Sequence, residues 1–205
     1  MSSIDLSKCP LCGSNDLGKM FDCEDHFSSR ELFPVCDCRQ CGFRFTNHFP
    51  SEESIGKYYD SPGYISHSDS DKGITNKLYR LFRGMMLRRK VRIVKRYTHT
   101  REARLLDIGC GTGYFLHTAR EAGYRVTGIE KNRMAREKAV SLFGLDLQED
   151  LDHFAQGQSF EVITLWHVLE HLEKLNESIE KIEGMLTADG TLIIALPNHL
   201  SYDAG

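Results

Sequence analysis

Arg104-Leu-Leu-Asp-Ile-Gly-Cys-Gly-Thr-Gly-Tyr114 carries residue types at a spacing that can hold a nucleotide-like ligand. Leu105, Leu106 and Ile108 make the short apolar run of a strand covered on both faces, and Asp107 interrupts it near its carboxyl end. Gly109, Gly111 and Gly113 follow at alternate positions, where the missing side chain lets the backbone bend tightly and a ligand come close. Glu130 ends the next apolar run, Tyr124-Arg-Val-Thr-Gly-Ile129. A carboxylate there suits a ribose, whose two hydroxyls can both donate to it. The order G-x-G-x-G departs from the G-x-G-x-x-G of dinucleotide sites, and no Gly-Lys-Ser/Thr element follows as a phosphate-cradling loop would require.

Two other groups can do chemistry. Trp166-His-Val-Leu-Glu-His171 leaves the end of a strand, so His167 can act as a general base, with Glu170 and His171 positioning it or a substrate. The competing reading has His171 packed under the next helix and Glu170 merely exposed. These residues also spell H-x-x-E-H, but a zinc peptidase needs both histidines inside one helix, so the match is coincidental. A divalent cation on His167, Glu170 and His171 is a further reading. Cys9-Pro-Leu-Cys12-Gly13 and Cys38-Arg-Gln-Cys41-Gly42 are two C-x2-C-G turns, each able to place two thiolates on one tetrahedral zinc. Four thiolates close the shell, which makes such a site structural. Cys23, His26 and Cys36 lie between the pairs as alternative ligands. A disulfide set is disfavoured by seven cysteines, an odd number, with no signal peptide, and a reducing cytoplasm is the expected compartment. Cys110, inside the glycine turn, reads as a small buried side chain.

These residues need strands and helices to hold them. Phe115, Leu116, Ala119 and Ala122 have helical spacing ended by Gly123. Phe160–Trp166 and Thr191–Leu196 read as buried strands, Leu145–Gln148 as a third strand, Glu173–Leu186 as a helix and Thr187–Gly190 as a turn. Strands alternating with helices predict a doubly wound parallel α/β sheet with ligands at the carboxyl ends of its strands.

Leu-Leu-Asp-Ile-Gly-Cys-Gly-Thr-Gly with Glu130 resembles motif I and the following acidic position of the class I S-adenosylmethionine-dependent methyltransferases. Phe160-Glu-Val-Ile163, Leu169-Glu-His171, Ala188-Asp-Gly-Thr-Leu192 and Pro197-Asn198 are similar to that family's sequence around strands four and five, so the likeness runs from about Arg101 to the carboxyl terminus. With the cysteine turns, Phe45-Thr-Asn47 and Tyr58-Tyr59 added, the chain resembles bacterial zinc-ribbon methyltransferases. The resemblance implies a Rossmann-like fold and in-line methyl transfer to a small molecule such as a sugar, lipid or quinone precursor. It puts Gly109, Cys110, Gly111 and Gly113 beneath the methionine part and Asp107 near its amino group. Glu130 would take the ribose, Lys131, Asn132, Asp150 and Leu151 the adenine, and Trp166, at the end of strand four, would also contact the cofactor. The family's last two strands are not evident after Leu196, so the sheet is expected to be truncated after strand five, with an open edge that favours a homodimer and weakens activity.

A net charge of -3 over 205 residues with 40% hydrophobic residues predicts a globular chain with no membrane span and no general affinity for nucleic acid. The distribution is less even: from Lys72 to Arg104, Glu102 is the one acid among many bases. Leu78, Leu81, Phe82, Met85 and Met86 recur among these bases at helical spacing. The expected role is a connecting helix that packs this apolar stripe on the sheet; contacts with RNA, an anionic membrane or an anionic substrate are the alternatives. Pro50–Gly73 reads as a connector in which Tyr58, Tyr59 and Tyr64 can close over the cofactor. The expected organisation is a zinc ribbon at 1–48, connector and basic helix at 49–100, and the methyltransferase domain at 101–205. An RNA-directed methyltransferase and a non-enzymatic interaction module stand as alternatives.

Overall fold

The computed structural model describes residues 3–26, 29–51, 54–55, 58, 74–98, 100, 102–151, 154 and 157–201. Tyr59, Tyr64 and most of the expected connector lie outside these residues. The chain divides into two compact units, one within 1–70 that also takes 173–176, the other within 71–172 and 177–205.

The first unit is antiparallel. Strand β1 (Ser3–Ile4) pairs with β5 (Phe49–Pro50), and β2 (Leu17–Glu24), β3 (Leu32–Cys38) and β4 (Arg44–Thr46) form a three-stranded sheet in that order. The cysteine turns sit immediately before β2 and after β3. The Tyr58 hydroxyl donates to Glu31 and its ring meets Phe33 edge-on at 6.0 Å. Tyr58 is thus tied to the ribbon unit, where the sequence had suggested a lid over the cofactor.

The second unit starts with helix α1 (Ile74–Tyr97), then alternates: β6 (Arg104–Ile108), α2 (Tyr114–Glu121), β7 (Arg125–Ile129), α3 (Arg133–Phe143), β8 (Leu147–Gln148), β9 (Phe160–Trp166), α4 (Leu175–Gly184) and β10 (Leu186–Ala195). The sheet order is β10-β9-β6-β7-β8, every pair parallel. Such a sheet must be covered on both faces. One core joins Leu105, Phe115, Leu116, Ala119, Ala139 and Val162; the other joins Leu106, Ile108, Ile163, Leu165 and Ile182. Alternate residues of β6 therefore serve opposite faces, as a period of two demands.

Several expectations need correction. The third strand is only Leu147–Gln148, because Leu145 is taken into the core. Thr187–Gly190 falls inside β10, where the register with β9 breaks between Leu186 and Thr191. Helix α3 was not foreseen, although its signals are local: Asn132 caps it by accepting from the Ala135 amide at 3.0 Å, and Gly144 ends it in the left-handed region.

The larger correction concerns α1. Leu81, Phe82, Met85 and Met86, expected to pack on the sheet, are exposed. The packed face is Leu87, Val91 and Val94, against the core of Leu105, Phe115 and Val162. Both stripes have helical spacing, so periodicity alone could not choose between them. Replacing Val94, fully buried, by Asp would bury an unpaired charge. The expected loss is several kcal/mol, which at about 2–4 °C per kcal/mol lowers Tm by roughly 10 °C. Met85→Asp should leave Tm within ~2 °C in the same melts.

Candidate functional site

The glycine turn is built from backbone hydrogen bonds between strand ends. The amides of Gly109 and Cys110 both donate to the Ile129 carbonyl, at 2.7 and 3.0 Å, which fastens the loop after β6 to the end of β7. Glu130 completes the attachment: Oε2 accepts from the Gly111 amide at 2.7 Å and Oε1 from the Asn132 amide at 2.8 Å. Gly109, Gly111 and Gly113 all have positive φ, of 69°, 55° and 78°. Their surroundings differ. A Cβ on Gly109 would lie 2.4 Å from Val168 Cγ2, and one on Gly113 2.5 Å from Leu145 Cδ1, so these two glycines allow close packing. A Cβ on Gly111 would meet nothing within 4 Å, so this glycine borders open space. Gly113 caps α2 without a side-chain hydrogen bond, which leaves the first-turn amides to other partners.

Asp107 is buried behind the loop, 2% exposed, and accepts a hydrogen bond from Thr164 Oγ1 at 2.6 Å. Burial pushes its carboxyl up to about 7, against the Thr164 hydrogen bond and the charge of Lys90, with Glu130 adding to the rise. Lys90 comes from α1. Its ammonium lies 4.7 Å from the centre of the Trp166 ring and 5.9 Å from that of Phe115, and its own pKa is lowered by burial while Asp107 opposes the fall. Sequence reasoning counted Lys90 as one of many helix bases, and only the packing of α1 singles it out. Burial and the charges of Asp107 and Glu130 push the Cys110 thiol well above its ordinary value, so it stays protonated and serves as a small packed group.

At the end of β9, Trp166 packs edge-on against Phe115 at 5.5 Å, and its indole N–H is buried without a partner among the described residues. His167 follows with φ 61°, a left-handed conformation that non-glycine residues seldom adopt. Its amide donates to the Ala195 carbonyl at 3.0 Å, while its side chain is 62% exposed, with Nδ1 3.5 Å from Glu170 Oε1. His171 ends a single 3-10 turn, Leu169–His171, and is exposed, which removes the reading that packs it under the next helix. Around the adenine-side candidates, Arg136 holds the turn after β7: its guanidinium donates to the carbonyls of Glu130 at 2.6 Å and Lys131 at 2.8 Å and pairs with Glu149 at 3.1 Å. Leu151 packs against the core of Leu106 and Ile163, and Asp150 precedes it on the loop after β8. Arg136 too was missed; its i, i+4 relation to Asn132 at the helix start was the available signal.

In the first unit the sulfurs of Cys9, Cys12, Cys38 and Cys41 all lie within 4.8 Å of one another, with Cys9 to Cys41 at 3.7 Å and Cys12 to Cys38 at 3.6 Å. The two turns are built alike: Gly13 donates to the Cys9 carbonyl and Gly42 to that of Cys38, each glycine at φ near 75°, at 75° and 73°. Burial opposes the Cys38 thiolate, yet the amides of Cys41 and Gln40 together with the thiols of Cys12 and Cys41 outweigh it and draw its pKa down to about 7. Cys23 is exposed on β2 and Cys36 is buried on β3, both outside the four-sulfur group; His26 instead meets Arg30 at 2.9 Å.

A family model described as a methyltransferase domain matches residues 79–204. The chain belongs to this family. The match begins within α1, the helix whose Val91 and Val94 enter the sheet's core. The chain is 32% identical over 108 residues to the ubiquinone biosynthesis O-methyltransferase of Actinobacillus pleuropneumoniae serotype 7 (strain AP76), covering 46% of each chain. It is 29% identical over 101 residues to the mitochondrial ubiquinone biosynthesis O-methyltransferase of Schizosaccharomyces pombe, covering 45% of this chain and 37% of that one. The chain thus spans about half the length, or less, of the curated relatives it matches. Among solved structures, the sugar N-methyltransferase KedS8 from Streptoalloteichus sp ATCC 53650 is similar at 22% identity and a TM-score of 0.49, over 63% of this chain and 56% of that one. The parallel α/β sheet, in the order β10-β9-β6-β7-β8, is the Rossmann-like fold expected of this methyltransferase family.

The glycines give a direct test. Gly111→Ala has room for its Cβ and only the positive φ to contend with, a cost of about 1–2 kcal/mol. Its Tm should fall by only a few degrees. Gly109→Ala adds a clash with Val168, so its Tm should fall well below that of Gly111→Ala in the same scan.

Proposed function

We propose that this chain binds S-adenosylmethionine on the loop Gly109–Gly113 and transfers its methyl group to a small-molecule acceptor. Glu130 carries the reading: its carboxylate stands at the end of β7 beside the open face of Gly111, and each oxygen keeps lone pairs beyond its one backbone hydrogen bond. Those lone pairs suit the two hydroxyls of a ribose. S-adenosylmethionine supplies a methyl group on a cationic sulfur, which leaves in line with an attacking nucleophile. Gly109, Cys110, Gly111 and Gly113 form the floor beneath the methionine part. Asp107 faces its ammonium, Lys90 its carboxylate, and Trp166 closes that end. Asn132, whose side-chain oxygen is committed to Ala135, offers its amide N–H groups to the adenine edge beside Lys131, with Asp150 and Leu151 on the other side.

His167 is the general base in this reading. Glu170 holds a proton on Nδ1, which leaves Nε2 to take one from the acceptor. The left-handed backbone at His167 supports the assignment, since strained conformations persist where the surroundings hold them and cluster at working sites. His171, on the same turn, lines the acceptor side. The curated relatives are named O-methyltransferases, which supports a hydroxyl as the nucleophile.

Cys9, Cys12, Cys38 and Cys41 fit a structural zinc. A tetrahedron with Zn–S bonds of about 2.3 Å has S–S edges of about 3.8 Å. The 3.6 and 3.7 Å separations already approach this value. Purified protein should contain one zinc per chain by elemental analysis, and Cys38→Ser should lose it and unfold the first unit. Full retention of ordered β2–β4 signals after chelation would overturn the assignment.

Calorimetry with S-adenosylmethionine tests the methyl-transfer reading. Glu130→Ala should weaken binding roughly 10–100-fold, the range of a charge-assisted hydrogen bond. Binding should tighten between pH 6 and 8: Asp107 with its pKa near 7 is partly protonated at pH 6, and the cationic ligand favours the ionised form, so a proton must leave there. Asp107→Asn should flatten that dependence. Indifference of the protein to S-adenosylmethionine would sink the reading.

A further inference from the structure

Helix α1 has two faces, and among the described residues one packs on the core while the other is exposed. At 100° per residue, Leu87, Val91 and Val94 share the side packed on the sheet, while Phe82, Met85, Arg89, Arg92 and Arg96 recur at i, i+3, i+7, i+10 and i+14 along the opposite side. That outward row is apolar in its first half and cationic in its second. Its apolar part is broad: Leu81 is 61% exposed, Phe82 52%, Met85 48% and Met86 54%. The whole helix carries nine Lys and Arg and no Asp or Glu, in a chain whose net charge is -3. Arg88, Arg89, Arg92, Lys95 and Arg96 pair with no carboxylate among the described residues.

We infer that the outward face of α1 docks on an anionic lipid bilayer, with Phe82, Met85, Leu81 and Met86 in the acyl boundary and Arg88, Arg89, Arg92 and Arg96 on headgroup phosphates. Charge complementarity decides among occupants. A second copy of the same face would set Arg88, Arg89, Arg92, Lys95 and Arg96 against the same five cations, with no acid on the helix to offset them. Nucleic acid would use the arginines but gives no reason for four large apolar side chains to stand in water beside them. A bilayer takes both: it buries an apolar helix face and attracts its bases. Among the described residues no helix is long and apolar enough to cross a membrane, so the contact we infer is with its surface. The inference holds whether or not the chain transfers methyl groups.

Vesicle flotation tests it. The protein should float with phosphatidylcholine vesicles containing phosphatidylglycerol, sink with phosphatidylcholine alone, and be released by high salt. Arg89→Glu, Arg92→Glu and Arg96→Glu together should reduce the floated fraction at least tenfold, and Phe82→Ser with Met85→Ser at least fivefold. Both variants should keep their melting temperature, since every replaced side chain is exposed. Three results would overturn the proposal. One is failure of the native protein to float. Another is gel-shift binding of single-stranded RNA that the charge variant loses and Phe82→Ser with Met85→Ser retains, without flotation. The third is a dimer in sedimentation that Phe82→Ser with Met85→Ser dissolves, without flotation.

Discussion

The carbonyl of Ile129 and the carboxylate of Glu130 together take the amides of Gly109, Cys110 and Gly111, and the geometry of the second unit turns on those three hydrogen bonds. They couple the ends of two neighbouring parallel strands through backbone atoms, so the loop cannot move without disturbing the sheet. The glycines are the condition for it. Val168 presses on Gly109, and Leu145 and Ala139 on Gly113, so any side chain at those positions would push the turn off β7. Gly128, on β7 itself, meets the same demand: an added Cβ would lie 2.7 Å from Cys110 Sγ. The small Cys110 and the absent Cβ of Gly128 are one packing solution.

Burial then sets the electrostatics. Asp107 is fixed in the sheet's interior by its place on β6, and the cost of burying its charge is moderated by Thr164 from β9 and by Lys90 from α1. Three elements remote in sequence thus converge on one carboxylate. The same convergence places Lys90 over Trp166 and so brings a cation from the helix before the sheet to the strand ends. The ribbon unit relies on a different constraint. Only β2 and β3 among its described strands exceed three residues, and the four sulfurs brought together by two like-built turns are what unite its loops.

Much of this was legible in the chain. The apolar runs of β6, β7 and β9 and the glycine spacing are local signals, and the structure gives β9 the same limits, Phe160–Trp166, that its composition suggested. The four cysteines were legible because two-residue spacing and a following glycine determine the turn almost alone. Less so was α1, where two apolar stripes compete and the bulkier one, Leu81, Phe82, Met85 and Met86, lost to Leu87, Val91 and Val94. Side chains of greater bulk were passed over because Val91 and Val94 are the positions that meet Leu105, Phe115 and Val162, a fact of position that periodicity does not contain.

Sequence by itself determined the parts whose conformation is settled within a few residues: the left-handed glycines, the thiolate pairs, the strand that ends on Asp107 and the acidic residue after the next one. Tertiary structure alone decided that Lys90 faces Asp107, that Arg136 braces the carbonyls beneath Glu130, that His167 takes a left-handed backbone, and which face of α1 meets solvent. The reason is physical. The first set depends on the steric limits of single residues and short turns, while the second depends on what other elements press against a side chain, and burial and charge are fixed only once those elements have met.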